Sequence, residues 1–176
     1  MARIVTIFGA SGARSGSADY AQAERLGRLL AEAGFVICNG GYGGTMEASA
    51  RGARKAGGQA IGITNAVFDP RHANRYIDDE RKAPDFFERL RALLTLGEAY
   101  ICLPGSVGTL TEFSLAWTLL QTGAVSPRPF LCVGPRWPAV LKAYRQHLAI
   151  RPKDFALITL VDTVEEAVSA LEARQW

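Results

Sequence analysis

Short apolar runs alternate along this chain with stretches of helical period, and several of the changes of period pass through glycine-rich turns, a pattern that few folds accept. The runs at 4–8, 35–38, 59–63, 100–103, 130–133 and 157–161 are strand-sized. Residues 18–33 set Tyr20, Ala23, Leu26, Leu30 and Ala33 on one helical stripe, and Thr163 with Glu166 has the spacing of a capping box that opens the last helix. Strands separated by helices of this length form βαβ units, and strands that are apolar throughout belong to a parallel sheet covered on both faces. The expected fold is an α/β protein, a Rossmann-like three-layer α/β/α sandwich with a mostly parallel sheet. At 176 residues it forms one domain over 1–176, with a core large enough to fold alone.

Right-handed crossovers would gather the strand-to-helix turns at the carboxyl edge of such a sheet, where ligands bind. Three of those turns are unusual. Gly9-Ala-Ser-Gly-Ala-Arg-Ser-Gly16 leaves the first strand, Asn39-Gly-Gly-Tyr-Gly-Gly-Thr45 the second, and Pro104-Gly-Ser-Val-Gly-Thr109 the fourth. Glycine lets the backbone approach a ligand, and the helix that follows offers unpaired N–H groups with partial positive charge. One such loop is often only a tight turn. Three together point to phosphate, as part of a nucleotide or a sugar phosphate.

Other chemistries are excluded by what is missing. Hydrophobic residues are 48% and charged residues 21%, the balance of a packed domain and not of a disordered chain. A net charge of +3 suits a small anionic ligand and is far from a surface that coats nucleic acid. No apolar run has membrane-spanning length, and the N-terminus enters a strand without a leader pattern, so no membrane partner and a cytoplasmic location are expected. Cys38, Cys102 and Cys132 sit inside apolar runs, and His72 and His147 lack ligand spacing, so neither a metal nor a disulfide is expected. The chain carries no GxxxxGK[ST], no GxGxxG after the first strand and no GxSxG. None of its lysines, Lys55, Lys82, Lys142 and Lys153, lies at a glycine-rich turn, so a Schiff-base cofactor is unsupported and no cofactor is expected.

The third turn continues as Pro104-Gly-Ser-Val-Gly-Thr-Leu-Thr-Glu112. The fixed positions of PGxxGTxxE would arise by chance in a chain like this on the order of once in 10⁴ sequences. The stretch resembles the PGGxGTxxE signature of the Lonely Guy family, proteins once labelled lysine decarboxylases, whose members release free base from cytokinin nucleoside 5′-monophosphates. Gly40-Gly-Tyr-Gly-Gly-Thr-Met46 and Phe8-Gly-Ala-Ser11 are similar to the family's other glycine loops, and the likeness covers about residues 3–175. The resemblance implies a phosphoribohydrolase that acts as a homodimer on a small-molecule nucleotide. It assigns catalysis to the signature carboxylate, Glu112, and to an Arg on the helix before the signature strand. Fifteen residues before Pro104 that Arg is Arg89, in Phe86-Phe-Glu-Arg-Leu-Arg91; Glu80-Arg-Lys82 is a decoy, seven residues too early and better suited to a loop or a helix start. Phosphate and substrate would lie against Gly9, Ser11, Gly40, Gly41, Gly43 and Gly44, and against Gly105, Ser106, Val107, Gly108 and Thr109.

Thr109 and Glu112 share a helical face, which sets Glu112 one turn beyond the phosphate, facing the ribose. Cleavage of an N-glycosidic bond builds positive charge at the anomeric carbon, which a fixed carboxylate stabilises while it orients or deprotonates water. Arg89 would pair bidentately with phosphate or with Glu112, fixing the carboxylate's orientation and holding it ionised. Leu110, Phe113, Trp117 and Leu120 read as core or dimer contact. Two positions depart from the family pattern: Ser106 stands where a second Gly is usual, and Leu90 where a Lys usually follows the Arg. The alternative is therefore a non-catalytic nucleotide or molybdenum-cofactor carrier on the same scaffold. The segment 65–82 reads as the longest loop, covering the pocket and contributing to the choice of base.

Overall fold

The structure, a computed structural model, describes residues 2–174. Seven strands of the described residues, β1 (Ile4–Phe8), β2 (Val36–Asn39), β3 (Ala60–Asn65), β4 (Asp79–Ala83), β5 (Ala99–Cys102), β6 (Phe130–Val133) and β7 (Thr159–Val161), form one sheet in the order β4-β3-β2-β1-β5-β6-β7. Every pairing is parallel. The helices are α1 (Ala18–Glu32), α2 (Thr45–Lys55), α3 (Phe86–Leu96), α4 (Val107–Thr122), α5 (Arg136–His147), the single turn α6 (Pro152–Phe155) and α7 (Val164–Glu172). This is the doubly wound, Rossmann-like sandwich that the alternating pattern predicts.

Both faces of the sheet are covered. In β1, Val5 and Ile7 point into a core with Leu26 and Leu30 of α1 and Ala167 and Val168 of α7. Phe8 points the other way, into a core with Leu93, Phe113, Trp117 and Trp137. The hydroxyl of Thr6 shares that second face and donates to Leu93 O at 2.9 Å, so the one polar residue of β1 is satisfied in the core. The helix starts follow from side chains in the sequence: Ser17 Oγ accepts from Tyr20 N, Asp85 Oδ1 from Glu88 N, and Thr163 Oγ1 from Glu166 N. No helix among the described residues is long and apolar enough to cross a membrane.

One strand departs from the sequence reading. The segment 65–82, expected to be a loop throughout, contains a 3₁₀ turn at Ala66–Phe68 and most of β4, Asp79–Ala83, which adds to the sheet beside β3. Glu80, Arg81 and Lys82 therefore lie on an edge strand and not in a loop or at a helix start. The charged side chains of β4 are exposed, as suits an edge that must not recruit another strand.

Candidate functional site

The strand order reverses between β1 and β5, so the turns after these two strands diverge and leave a crevice at the carboxyl edge of the sheet. The three glycine-rich turns all open there, after β1, β2 and β5. The first two are fastened together: Thr45, the first residue of α2, donates to Ala10 O through its backbone N at 2.9 Å and its hydroxyl at 3.2 Å. Gly44 makes this seam feasible. Its φ of 70° and ψ of −136° belong to glycine, and a Cβ there would fall 2.2 Å from Ala10 O. Asn39, fully buried, braces the second turn from within, accepting from Gly41 N at 2.8 Å and donating to Met46 O at 2.9 Å and Ser49 Oγ at 3.1 Å.

Arg89 projects from α3 beneath this second turn and is only 6% exposed. Its Nε donates to Ile63 O at 2.8 Å and its Nη2 to Gly40 O at 3.2 Å. A Cβ on residue 40 would lie 2.0 Å from Nη2, so the guanidinium occupies the space that glycine leaves. Glu112, in the second turn of α4, comes from the other side and places Oε1 3.9 Å from Arg89 Nη1, with 14% of its side chain exposed. The bidentate pairing expected between the two is not present. Arg89 spends its geometry on two carbonyls and offers Glu112 one longer contact. Burial consequently prevails over the attraction of Arg89, and the Glu112 carboxyl is raised from an ordinary 4.5 to about 7. The reading in which Arg89 holds Glu112 firmly ionised is corrected accordingly: near neutrality Glu112 is poised between its two forms.

The third turn runs into α4, whose N-cap is Ser106 and whose first turn is Val107, Gly108 and Thr109. No side chain caps this end, and Ser106, Val107 and Gly108 are exposed, so the first N–H groups of α4 face outward from the crevice edge. Gly9 and Gly105 flank the crevice, while Ser11 and Gly43 are exposed on the first and second turns. Leu90 is buried, so the position of the family's lysine faces inward, and Arg91 turns to solvent, 3.5 Å from Glu88. The decoy cations belong elsewhere, Arg81 with Asp79 and Lys82 with Asp69. Phe113 and Trp117 are core residues, and Leu110 is 39% exposed. Cys38, Cys102 and Cys132 are all buried and free.

Several residues outside the expected set complete the site. The hydroxyl of Tyr42 accepts from Asn65 N at 2.8 Å, its ring centroid lies 5.8 Å from Arg89 Cζ, and Phe68 meets it edge-on at 5.7 Å. Asn74 donates to Gly41 O at 3.0 Å and Tyr42 O at 2.9 Å, which straps the 65–78 stretch to the second turn. An aromatic inside a glycine-rich turn was the only available signal for Tyr42; Asn74 had none. A cavity of about 490 Å³ lined by Trp117, Tyr144, Arg151 and Asp154 lies on the far flank of α4 and includes neither Arg89 nor Glu112. The chemistry is therefore assigned to the open crevice and not to that cavity.

Known proteins resemble this chain. A family model described as the SLOG cluster4 family matches residues 2–123. The chain is 30% identical to the cytokinin riboside 5′-monophosphate phosphoribohydrolase of Mycobacterium tuberculosis over 156 residues, 84% of this chain and 82% of that one. An uncharacterized protein of Archaeoglobus fulgidus is 38% identical over 100 residues, 55% of this chain and 63% of its own length. Among solved structures, the molybdenum cofactor binding protein of Rippkaea orientalis superposes with a TM-score of 0.79 at 21% identity, covering 98% of this chain and 97% of that one. At that identity the likeness speaks for the fold alone.

Proposed function

Because this chain belongs to the SLOG cluster4 family, we propose that it hydrolyses the N-glycosidic bond of a nucleoside 5′-monophosphate, of the cytokinin riboside or AMP type, to free base and ribose 5-phosphate. The observation that carries the reading is Glu112: a nearly buried carboxyl of raised pKa, 3.9 Å from a fixed guanidinium, one turn beyond the uncapped N-terminus of α4. Phosphate at that N-terminus sets the ribose beside Glu112. As the bond from C1′ to the base nitrogen breaks, both its electrons leave with the base and positive charge develops on the ribose, where the carboxylate stabilises it. Water adds its oxygen to C1′ and passes a proton to Glu112, which gives it up to the nitrogen of the departing base, so the base leaves neutral and the carboxylate is regenerated. Arg89, held by the Ile63 and Gly40 carbonyls, positions Glu112 and keeps its ionised form accessible, and its own proton stays in place.

The proposed assembly is a homodimer in the cytoplasm. Support for a self-contact comes from α4, whose only charged residue is Glu112 and whose Val107 and Leu110 are exposed. A carrier that binds a nucleotide or the molybdenum cofactor without turnover is the second reading, favoured by Ser106 and Leu90. One experiment separates the two: base release from a panel of nucleoside 5′-monophosphates, including AMP and an N6-prenylated AMP, for wild type and Glu112→Ala, with binding followed by calorimetry. Turnover that collapses in the variant is the expected result; tight binding with no turnover in either protein would overturn it in favour of the carrier.

A further inference from the structure

The third glycine turn faces α5 across a cavity of about 270 Å³. Its lining includes Gly105, Ser106 and Thr109 from the turn and Arg136 and Trp137 from the start of α5. Two of these carry an unmet demand. Thr109 is 3% exposed and Trp137 is 5% exposed, yet Thr109 Oγ1 and Trp137 Nε1 are buried with no hydrogen-bond partner. Buried polar atoms are nearly always paired, and an indole N–H can only donate, so Trp137 is satisfied only by an acceptor. Thr109 Oγ1 lies under Gly105, where a Cβ would come within 2.0 Å, so nothing larger than glycine fits between the hydroxyl and the turn.

We infer that Arg136 and Trp137, with Thr109 and the uncapped first turn of α4, form the subsite that takes the 5′-phosphomonoester of the ligand. The inference rests on the nucleotide reading above and adds to it the α5 side of the site. Three features suit a phosphate dianion over a neutral base: the positive end of a 16-residue helix, a guanidinium able to give two parallel donors, and buried donors that want an acceptor. Arg136 is free to turn inward, since its side chain is 67% exposed and its contact with Asp19 is a 3.5 Å surface pair. The volume lies below the roughly 300 to 1,000 Å³ of pockets that enclose whole drug-sized ligands, so it holds one end of a nucleotide.

The test uses the full chain in a Glu112→Ala background, which removes turnover, and compares calorimetric affinities for AMP, adenosine and inorganic phosphate. The parent is expected to prefer AMP to adenosine and to bind inorganic phosphate in competition with AMP. Adding Arg136→Gln should weaken AMP by roughly tenfold or more, the effect of losing charge-assisted hydrogen bonds, and leave adenosine unchanged. Trp137→Phe, which keeps a ring against Phe113, should weaken AMP several-fold in the same selective way. An AMP preference that survives both substitutions overturns the inference, as does a parent that binds neither AMP nor inorganic phosphate. Wild-type protein that binds AMP through Arg136 but releases no base would defeat the hydrolase reading and leave the subsite standing; base release that depends on Glu112 but is indifferent to Arg136 would do the reverse.

Discussion

Replacing Glu112 by Gln should make the protein more stable at pH 8 while removing its activity. The carboxyl titrates at about 7 in the fold against an ordinary 4.5, burial being the larger cause and Arg89 opposing it. A group whose folded pKa is raised holds its proton longer folded than unfolded, so stability is highest below about pH 4.5 and falls as pH rises toward 7, then levels. A tenfold change in ionisation is about 1.4 kcal/mol, so ionised Glu112 costs the fold about 3 kcal/mol above pH 7. That figure already contains the attraction of Arg89, and Gln mimics the protonated acid, so the variant escapes the cost at every pH. At about 2 to 4 °C per kcal/mol for a chain of this size, its Tm should exceed wild type by roughly 6 to 12 °C at pH 8. At pH 5 the gain should shrink to about 1 kcal/mol, because wild-type Glu112 is then protonated in the fold and only partly ionised when unfolded. Thermal unfolding followed by circular dichroism at the two pH values is sufficient. A variant no more stable than wild type at pH 8, or a gain equal at both pH values, would refute the assignment of the raised pKa to burial.

Three further outcomes follow from the same geometry. For AMP hydrolysis, kcat/KM should rise through an apparent pKa near 7 as the Glu112 carboxylate forms, and Arg89→Gln, by removing the charge that lowers it, should move that limb to higher pH in a pH–rate profile. Gly40→Ala would put a Cβ 2.0 Å from Arg89 Nη2 and 2.7 Å from Met46 Sδ; the displaced guanidinium should lower kcat by at least about tenfold in steady-state kinetics. Gly44→Ala combines a positive φ with a Cβ 2.2 Å from Ala10 O, and should cost about 2 kcal/mol or more in chemical denaturation by prising the first two turns apart.

The strands that sequence makes legible are those buried on both faces, because burial writes itself as a continuous apolar run: β1 lies where its run predicts, and β6 likewise. The strand it hides is β4, Asp-Glu-Arg-Lys-Ala, which is held mainly by backbone pairing to β3 with its charged side chains in solvent, and therefore leaves no hydrophobic trace. For the site, the fixed spacing back from Pro104 selects Arg89 over the better-looking Glu80-Arg-Lys82, and the structure brings Arg89, not Arg81, to Glu112. What spacing does not carry is the partner of each polar atom. The carbonyls of Ile63 and Gly40 that hold Arg89 come from within β3 and from the turn after β2, and the Asn74 strap comes from a third segment with no motif.

Those partners change what the glycines mean. From sequence, each glycine-rich turn reads as a place where backbone comes close to phosphate. In the fold, the vacancy at Gly40 is filled by Arg89 and that at Gly44 by the first turn, so the chain's own atoms already occupy the space that two of the second turn's glycines leave. The turn after β5 differs: α4 begins without a side-chain cap, its first residues are exposed, and two unpartnered buried polar side chains stand beside it. A division of labour between the turns accounts for both. The first two lock together and anchor the guanidinium that positions Glu112, while the third, with α5, is left to meet the anion. On that division, a methyl group at residue 40 should injure turnover far more than affinity for phosphate, and the loss of Arg136 should do the opposite.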